Sequence, residues 1–282
     1  DFEKLGYSFE NDKGTKWSLL NAANFGVPQK RERVILIGIK KVWKDVKIPE
    51  IQPTHFDPTS ENQTDLSSKS LLAYVSVYDA IGDLPPIKPK ITFTRIKKKD
   101  AIKKRNQGIN SGKDKVELDK MRFTKHLSNI GRSGQHFFDF VRPNGYGYID
   151  HHTARSQQLS DIKLFGLMKQ GETAKDFKKR MPKVARELIR YDMLSFKDKY
   201  RRQKSDYPGT TVFAHLEKDG NRFIHPTQAR TYTPREAARI QSFPDDFVFE
   251  GPMSKKFKQI GNAVPPRMAY VIAETIYNHL II

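Results

Sequence analysis

Three side chains at alternate positions, Gln29, Arg31 and Arg33, stand just before the apolar run Val34-Ile-Leu-Ile-Gly38. In extended chain a spacing of two sends side chains to one face. The two guanidiniums there are planar, permanently charged forks, suited to paired oxygen acceptors. Taken alone, Q-x-R-x-R fits surface ion pairs among Arg31, Glu32 and Arg33 equally well, because so short a pattern recurs by chance. A second group is Arg230, Arg235, Glu236 and Arg239, where Glu236 follows Arg235 by one and precedes Arg239 by three, a spacing that allows a charged network on a helix. Thr233 is a good N-cap and Pro234 suits a first turn, so that helix is expected to run through Ile240. A third group, Gly261-Asn262-Ala263-Val264, is expected at the end of a short loop just before the closing helix. Backbone amides at a helix start would suit a carboxylate.

The chain of 282 residues carries 51 Lys and Arg against 32 Asp and Glu, a net charge of +19, yet 37% of it is apolar and 11% aromatic. That combination describes a folded protein with a polyanionic partner and not a disordered tail. There is no cysteine. Disulfides, thiolate metal sites and a thiol nucleophile supplied by this chain are therefore excluded. The histidines show no ligand spacing with carboxylates, so no metal site is expected. No apolar run approaches the about 18 residues of a membrane span, and no signal-peptide pattern is present. Neither membrane insertion nor secretion is expected, and a cytoplasmic setting suits the cysteine-free composition.

The elements that must position these groups begin near the start of the chain. Trp17, Leu19, Leu20 and then Val34 to Gly38 look like the end of an α/β domain, the second run being a continuous block of the kind a fully buried strand needs. A short element over Val75 to Leu84 ends at Pro85-Pro86, which sets a first boundary. From Ile87 the composition shifts to a second, mixed region, and the last helix, apolar on one side, must pack on something. Helices are expected over Asp161 to Gln170 and over Thr173 to Ile189, a hairpin over Thr211 to Leu216 and Arg222 to Ile224, and two last helices over Ser254 to Gln259 and Pro266 to Ile281. Within the insert, Arg95, Lys97, Lys98, Lys99, Arg132, Arg155, Arg201 and Arg202 are the candidates for phosphate and base contacts.

G-V-P-Q-K-R-E-R (Gly26 to Arg33), R-x-Y-T-P-R-E-A-A-R-I-Q-S-F-P (Arg230 to Pro244) and G-N-A-V-P-P (Gly261 to Pro266), in that order and around a long basic insert, resemble the C-terminal motifs of the cytosine-C5 DNA methyltransferases. The match covers roughly residues 14 to 86 and 207 to 282, while the family's F-x-G-x-G loop, Pro-Cys dipeptide and Glu-Asn-Val segment have no counterpart. The resemblance implies the C-terminal part of a Rossmann-like, S-adenosylmethionine-dependent methyltransferase domain (1–86, with 253–282 as a return helix) and a smaller α+β target-recognition domain (87–252). It further implies that Arg33 holds the ring oxygen of a flipped cytosine, with Arg31 and Gln29 in the surrounding network. Asn262, Ala263 and Val264 would complete the cofactor site. Thr210 and Thr211 resemble the family's threonine step beside the flipped nucleotide, and Arg230, Arg235, Glu236 and Arg239 its scaffold.

The reading expected on these grounds is a split subunit, or a truncated form, of a DNA methyltransferase from a prokaryotic restriction-modification system. It would be nucleoid-associated and active only with a partner chain that carries the nucleophilic cysteine. The alternative is a catalytically silent DNA-binding or regulatory module.

Overall fold

In the first segment the chain folds back on itself in short extended stretches: β1 (Tyr7–Ser8), β2 (Ser18–Asn21), β3 (Gln29–Lys30), β4 (Glu32–Ile35) and β5 (Ile39–Lys40). The structure is a computed structural model and describes residues 2–9, 17–43, 48–60, 71–92, 130–142, 149–190, 199–218 and 220–280. β2 and β4 pair antiparallel, with Leu19 opposite Val34 and Leu20 opposite Arg33. Between β2 and β3 the Asn21 side chain accepts from Ala23 N and from Arg31 N, nucleating the 3-10 turn Ala22–Phe25. Gly26, at φ +75°, closes it, and a Cβ there would also sit 2.6 Å from the His55 ring. Only glycine meets both demands.

Further along come β6 (His55–Phe56), β7 (Leu72–Ala73), α1 (Val77–Ile81), β8 (Ile91–Thr92), α2 (Arg132–Val141), β9 (Gln157–Gln158), α3 (Leu159–Leu167), α4 (Ala174–Arg180), α5 (Pro182–Leu188), β10 (Gly209–Thr210), α6 (Pro234–Ile240), α7 (Met253–Asn262) and α8 (Pro266–Leu280). Among the described residues the strands pair only in twos: β1 with β5, β2 with β4, β3 with β10, β6 with β7 and β8 with β9.

Three cores hold these elements. The largest joins α1, α2, α6 and α7 through Val77, Ile81, Phe137, Val141, Ala237, Ile240, Phe257 and Ile260, with Val212, Leu216 and Tyr232 between them. A second, under α3, α4 and α5, is built from Leu164, Phe165, Phe177, Ala185, Leu188 and Tyr200. The third packs Met268 and Val271 of α8 onto Ala22, Phe25 and Val27.

Local signals and structure agree at α6, where Thr233 Oγ1 accepts from Glu236 N while the Glu236 carboxylate accepts from Thr233 N. Elsewhere the structure corrects the expectation. The run from Val34 is not a buried strand: Val34 and Leu36 are 54% and 59% exposed, and Trp17 and Leu19 on β2's side are 57% and 56% exposed. Among the described residues β2 is the sole partner of β4, and no layer covers their outer face. The single helix expected over Thr173 to Ile189 is two, because Met181 precedes Pro182 and leaves the helical region at φ −134°, ψ 66°. A residue before proline is driven out of the α region, and proline then starts the next helix. The expected hairpin after Thr211 is absent. Ala214–Glu217 forms a 3-10 turn that sends Leu216 into the large core, while Ile224 bridges to Arg202 and Thr231.

Candidate active site

Three sequence-remote segments meet at Arg31. β3 pairs in parallel with β10, Gln29 beside Gly209 and Lys30 beside Thr210, and Thr211 Oγ1 donates to Lys30 O at 2.6 Å. The chain then changes partner, from β10 to β2, and Arg31 stands at the change. Arg31 is 3% exposed. It donates through Nη1 to Val212 O and through Nη2 to Gly261 O (3.3 Å) and Ala263 O (3.2 Å), while its Nε is buried with no acceptor among the described residues. Each of these three acceptors is a backbone carbonyl. Burial, and secondarily the neighbouring Arg33, lowers its pKa to about 10, still far above neutrality.

Gln29 is buried outright. Its Nε2 donates to Ile240 O at 3.1 Å and to the Gln241 side chain, and its Oε1 accepts from Val212 N at 2.9 Å. Gln241 continues the chain to Ile260 O at 2.8 Å. Its donors and acceptor tie β3, the Thr210–Val212 turn and α6 together. Gln241 was missed by sequence reasoning, although it lies inside the quoted Q-S-F-P segment. Arg33 is the exposed member of the trio, and its Nη1 donates to Glu32 O at 2.6 Å. The two arginines therefore do not share one environment, although alternation alone put them on one face.

At the G-N-A-V block the structure corrects the helix-start expectation. Gly261 and Asn262 end α7, and Ala263 N donates to Ile260 O. Pro265 and Pro266 have no N–H, and Arg267 N donates to Ser242 Oγ at 3.0 Å. An amide nest for a carboxylate is not offered there. What faces solvent is the Asn262 side chain and Val264, the latter 58% exposed, a polar and an apolar group side by side. Gly261 has its own reason: a Cβ would lie 2.3 Å from Phe213 C and 2.4 Å from Ala214 N.

The four scaffold residues are all at or below 1% exposed. They do not form the expected single network. Arg230 pairs with Glu236 (2.5 and 2.8 Å), while Arg235 pairs with Asp150 and, at 3.9 Å, with Asp245, which it shares with Arg239; Arg239 also pairs with Asp83, and Arg142 contacts both Asp83 and Asp245. Burial raises the Glu236 carboxyl, but Arg230 overrides it and holds the pKa at about 2. Asp83, Asp150 and Asp245 were not picked out as arginine partners by sequence. Without Arg230 the Glu236 carboxylate would be a buried charge with no arginine, and Arg239, which also donates to Ala80 O at 2.8 Å, fixes α1 and α6 relative to each other.

Of the insert candidates, Arg202 lies inward: Nη1 donates to Phe165 O and Met168 O at 2.7 Å and Nε to Pro226 O at 3.0 Å. Arg155 donates to Leu216 O at 2.7 Å and lies 4.9 Å from the Phe257 ring centre. The forks of these two hold the protein's own carbonyls. Arg132 begins α2 and is exposed, Arg201 is half-buried beside Thr173, and Thr210 and Thr211 line the seam at β3. Arg95, Lys97, Lys98 and Lys99 lie outside the described residues. Among the described residues no cluster of His, Asp or Glu could hold a metal, and no helix is long and apolar enough to cross a membrane.

The family model described as C-5 cytosine-specific DNA methylase matches residues 1–278. M.OihORF3336P of Oceanobacillus iheyensis, named for a type II methyltransferase, is 35% identical over 94% of this chain and 61% of its own. Type II methyltransferase M.AgeI of Thalassovita gelatinovora is 30% identical over 91% of this chain and 64% of its own. Type II methyltransferase M.Bpa9945I of Bacillus paralicheniformis is 31% identical over 98% and 54%. The chain thus spans between about half and two thirds of these relatives. A crystal structure described as a DNA modification methyltransferase encoded within an E. coli prophage superposes with a TM-score of 0.57 at 20% identity, over 95% of this chain and 61% of that one, a likeness of fold.

Proposed function

Because the chain belongs to the C-5 cytosine-specific DNA methylase family, we propose that it is the recognition-bearing subunit of a cytosine-C5 DNA methyltransferase in a restriction-modification system. A complementary subunit supplies the nucleophilic cysteine and the rest of the S-adenosylmethionine site. In this reading residues 1–86 and 253–282 belong to the catalytic domain and 87–252 recognise DNA. The observation that carries it is Arg31, a buried guanidinium that joins the Gly26–Arg33 block, the Thr210–Val212 turn and Gly261–Ala263 by direct hydrogen bonds.

Methylation at C5 begins with a cytosine extruded from the duplex, since the ring face to be attacked is stacked inside it. Arg33, exposed at the start of β4, then donates to the ring oxygen, and Arg31 holds β3, the recognition turn and the end of α7 in register around it. A thiolate must add to C6. These 282 residues include no cysteine, and in this reading the complementary subunit supplies that group. Asn262 and Val264 fit one wall of a cofactor that is part polar and part apolar, and the bound cofactor supplies the methyl group. The uncovered face of Trp17, Leu19, Val34 and Leu36 supports the same reading, because so much adjoining apolar surface needs a cover.

The test is transfer of labelled methyl from S-adenosylmethionine to DNA by the chain alone and together with a subunit carrying Pro-Cys and F-x-G-x-G segments. Activity is expected only in the mixture. Transfer by the chain alone refutes the two-part reading, and duplex binding without transfer in any mixture favours a silent recognition module. In the active mixture Arg33→Ala lowers turnover by about 10²–10³ with duplex binding retained, as for loss of one preorganised donor. Equal loss of both would make Arg33 a phosphate contact.

A further inference from the structure

We infer that the outward faces of α4 and α5 form a grip for the phosphate backbone of duplex DNA, apart from the arginines at β3 and β4. The inference rests on the DNA-directed reading above. α4 turns Ala174 and Phe177 into the second core and leaves Lys175, Lys178 and Lys179 exposed, and α5 turns Ala185 and Leu188 inward and leaves Lys183 and Arg186 exposed. Cations nearby that serve the fold are answered by acids of the fold: Arg180 by Glu172 at 2.7 Å and Arg190 by Asp161 at 2.6 Å. The other five have no carboxylate within ion-pair distance among the described residues.

The two helices carry only two acids, Asp176 and Glu187. Asp176 is committed to its capping box, accepting from Thr173 N at 3.0 Å and Thr173 Oγ1 at 2.6 Å. Lys175, Lys178 and Lys179 are neighbours at helical spacings of three and four, where like charges repel by a few tenths of a kcal/mol per pair. A face kept soluble by charge usually mixes signs. This one is nearly of a single sign, complementary to a row of phosphates. No large apolar side chain stands exposed on α4 or α5, so an insertion into a lipid surface has no anchor there.

A grip here would act on the recognition turn because backbone hydrogen bonds join them. Ala174 N donates to Tyr200 O (3.0 Å), Arg202 N to Glu172 O (3.0 Å) and Gly171 N to Arg202 O (2.9 Å), docking α4 onto residues 200–202. The next residue, Gln203, accepts from Thr210 N at 3.1 Å and donates to Arg222 O at 2.8 Å. Phosphates held by α4 and α5 therefore set the register of Thr210 to Val212 on the duplex without reading any base.

The experiment is binding of the chain of 282 residues to a labelled duplex as a function of salt. Lys175→Gln, Lys178→Gln, Lys179→Gln and Lys183→Gln are combined in one variant, and Lys40→Gln with Lys41→Gln, exposed cations elsewhere, serve as control. The log–log salt slope should become shallower by about 0.9 for each phosphate that the variant no longer neutralises, with preference among sequences unchanged and the thermal midpoint retained. A slope equal to that of the unaltered chain, or a control that flattens it as much per charge removed, overturns the inference alone. Failure of the unaltered chain to bind duplex at low salt overturns the DNA-directed reading as well.

Discussion

Alanine at Gly261 is a case where two physical effects predict opposite signs. Gly261 lies in the last turn of α7, and in an exposed helix glycine to alanine stabilises by about 1 kcal/mol. Here the added Cβ would lie 2.3 Å from Phe213 C, 2.4 Å from Ala214 N and 2.7 Å from Phe213 O. Ordinary carbon contacts start near 3.4 Å, so the two backbones must part by about 1 Å. All three obstacles are main chain and cannot rotate aside. Overpacking of this kind costs about 1–3 kcal/mol, and more where backbone must shift, which exceeds the gain in propensity. The displacement also loosens Gly261 O, which accepts from Arg31 Nη2 at 3.3 Å. The expected net loss is about 1–2 kcal/mol, a fall of about 0.5–1 M in a urea midpoint for a slope of roughly 2 kcal/mol/M. An alanine variant as stable as the parent, with an unchanged slope, would refute the close-packing argument.

Three further outcomes are expected. Burial holds His55, His151 and His225 near pKa 4, so the unfolded chain binds their protons first and stability falls as pH drops from about 6.5 to 4; at pH 5 each contributes a loss of up to about 2 kcal/mol, read from urea titrations at pH 7 and 5, and an unchanged midpoint would count against it. Thr233→Ala removes half of the α6 capping box and costs about 1 kcal/mol, with Thr233→Ser recovering most of it in the same assay. Arg230→Met leaves the Glu236 carboxylate buried without its cation and costs about 3–5 kcal/mol, while adding Glu236→Leu restores part of that; a double variant no better than the single would show that the pair is not the source of the loss.

What the sequence made legible is what short-range chemistry decides. Thr233, Pro234 and Glu236 mark the start of α6 because a cap, a fixed φ and a reciprocal carboxylate act within four residues. The arginine partners are a different matter: Asp83 lies 156 residues before Arg239 and Asp150 lies 85 before Arg235, separations at which no local pattern selects one acid over another. Glu236, the near acid, takes Arg230 because its carboxylate already faces back toward the N-cap, so helical spacing to Arg239 counted for nothing. The apolar run from Val34 shows the same limit in another form, since composition marks a surface as needing burial but does not say what buries it.

Arginine was the hardest residue to place, and the reason is chemical. A guanidinium on a basic chain is equally suited to a phosphate outside the fold and to a carbonyl inside it, and the difference lies in which acceptors the fold leaves unpaired. Carbonyls at the ends of α3 and around Pro226 needed donors, and Arg202 supplied them. Carbonyls at Gly261 and Ala263, where α7 ends, took Arg31. Helix ends leave such acceptors by geometry. A lysine face on short helices, as on α4 and α5, where Asp176 is already engaged in its cap, has no such internal demand to meet, and its charge is left facing outward.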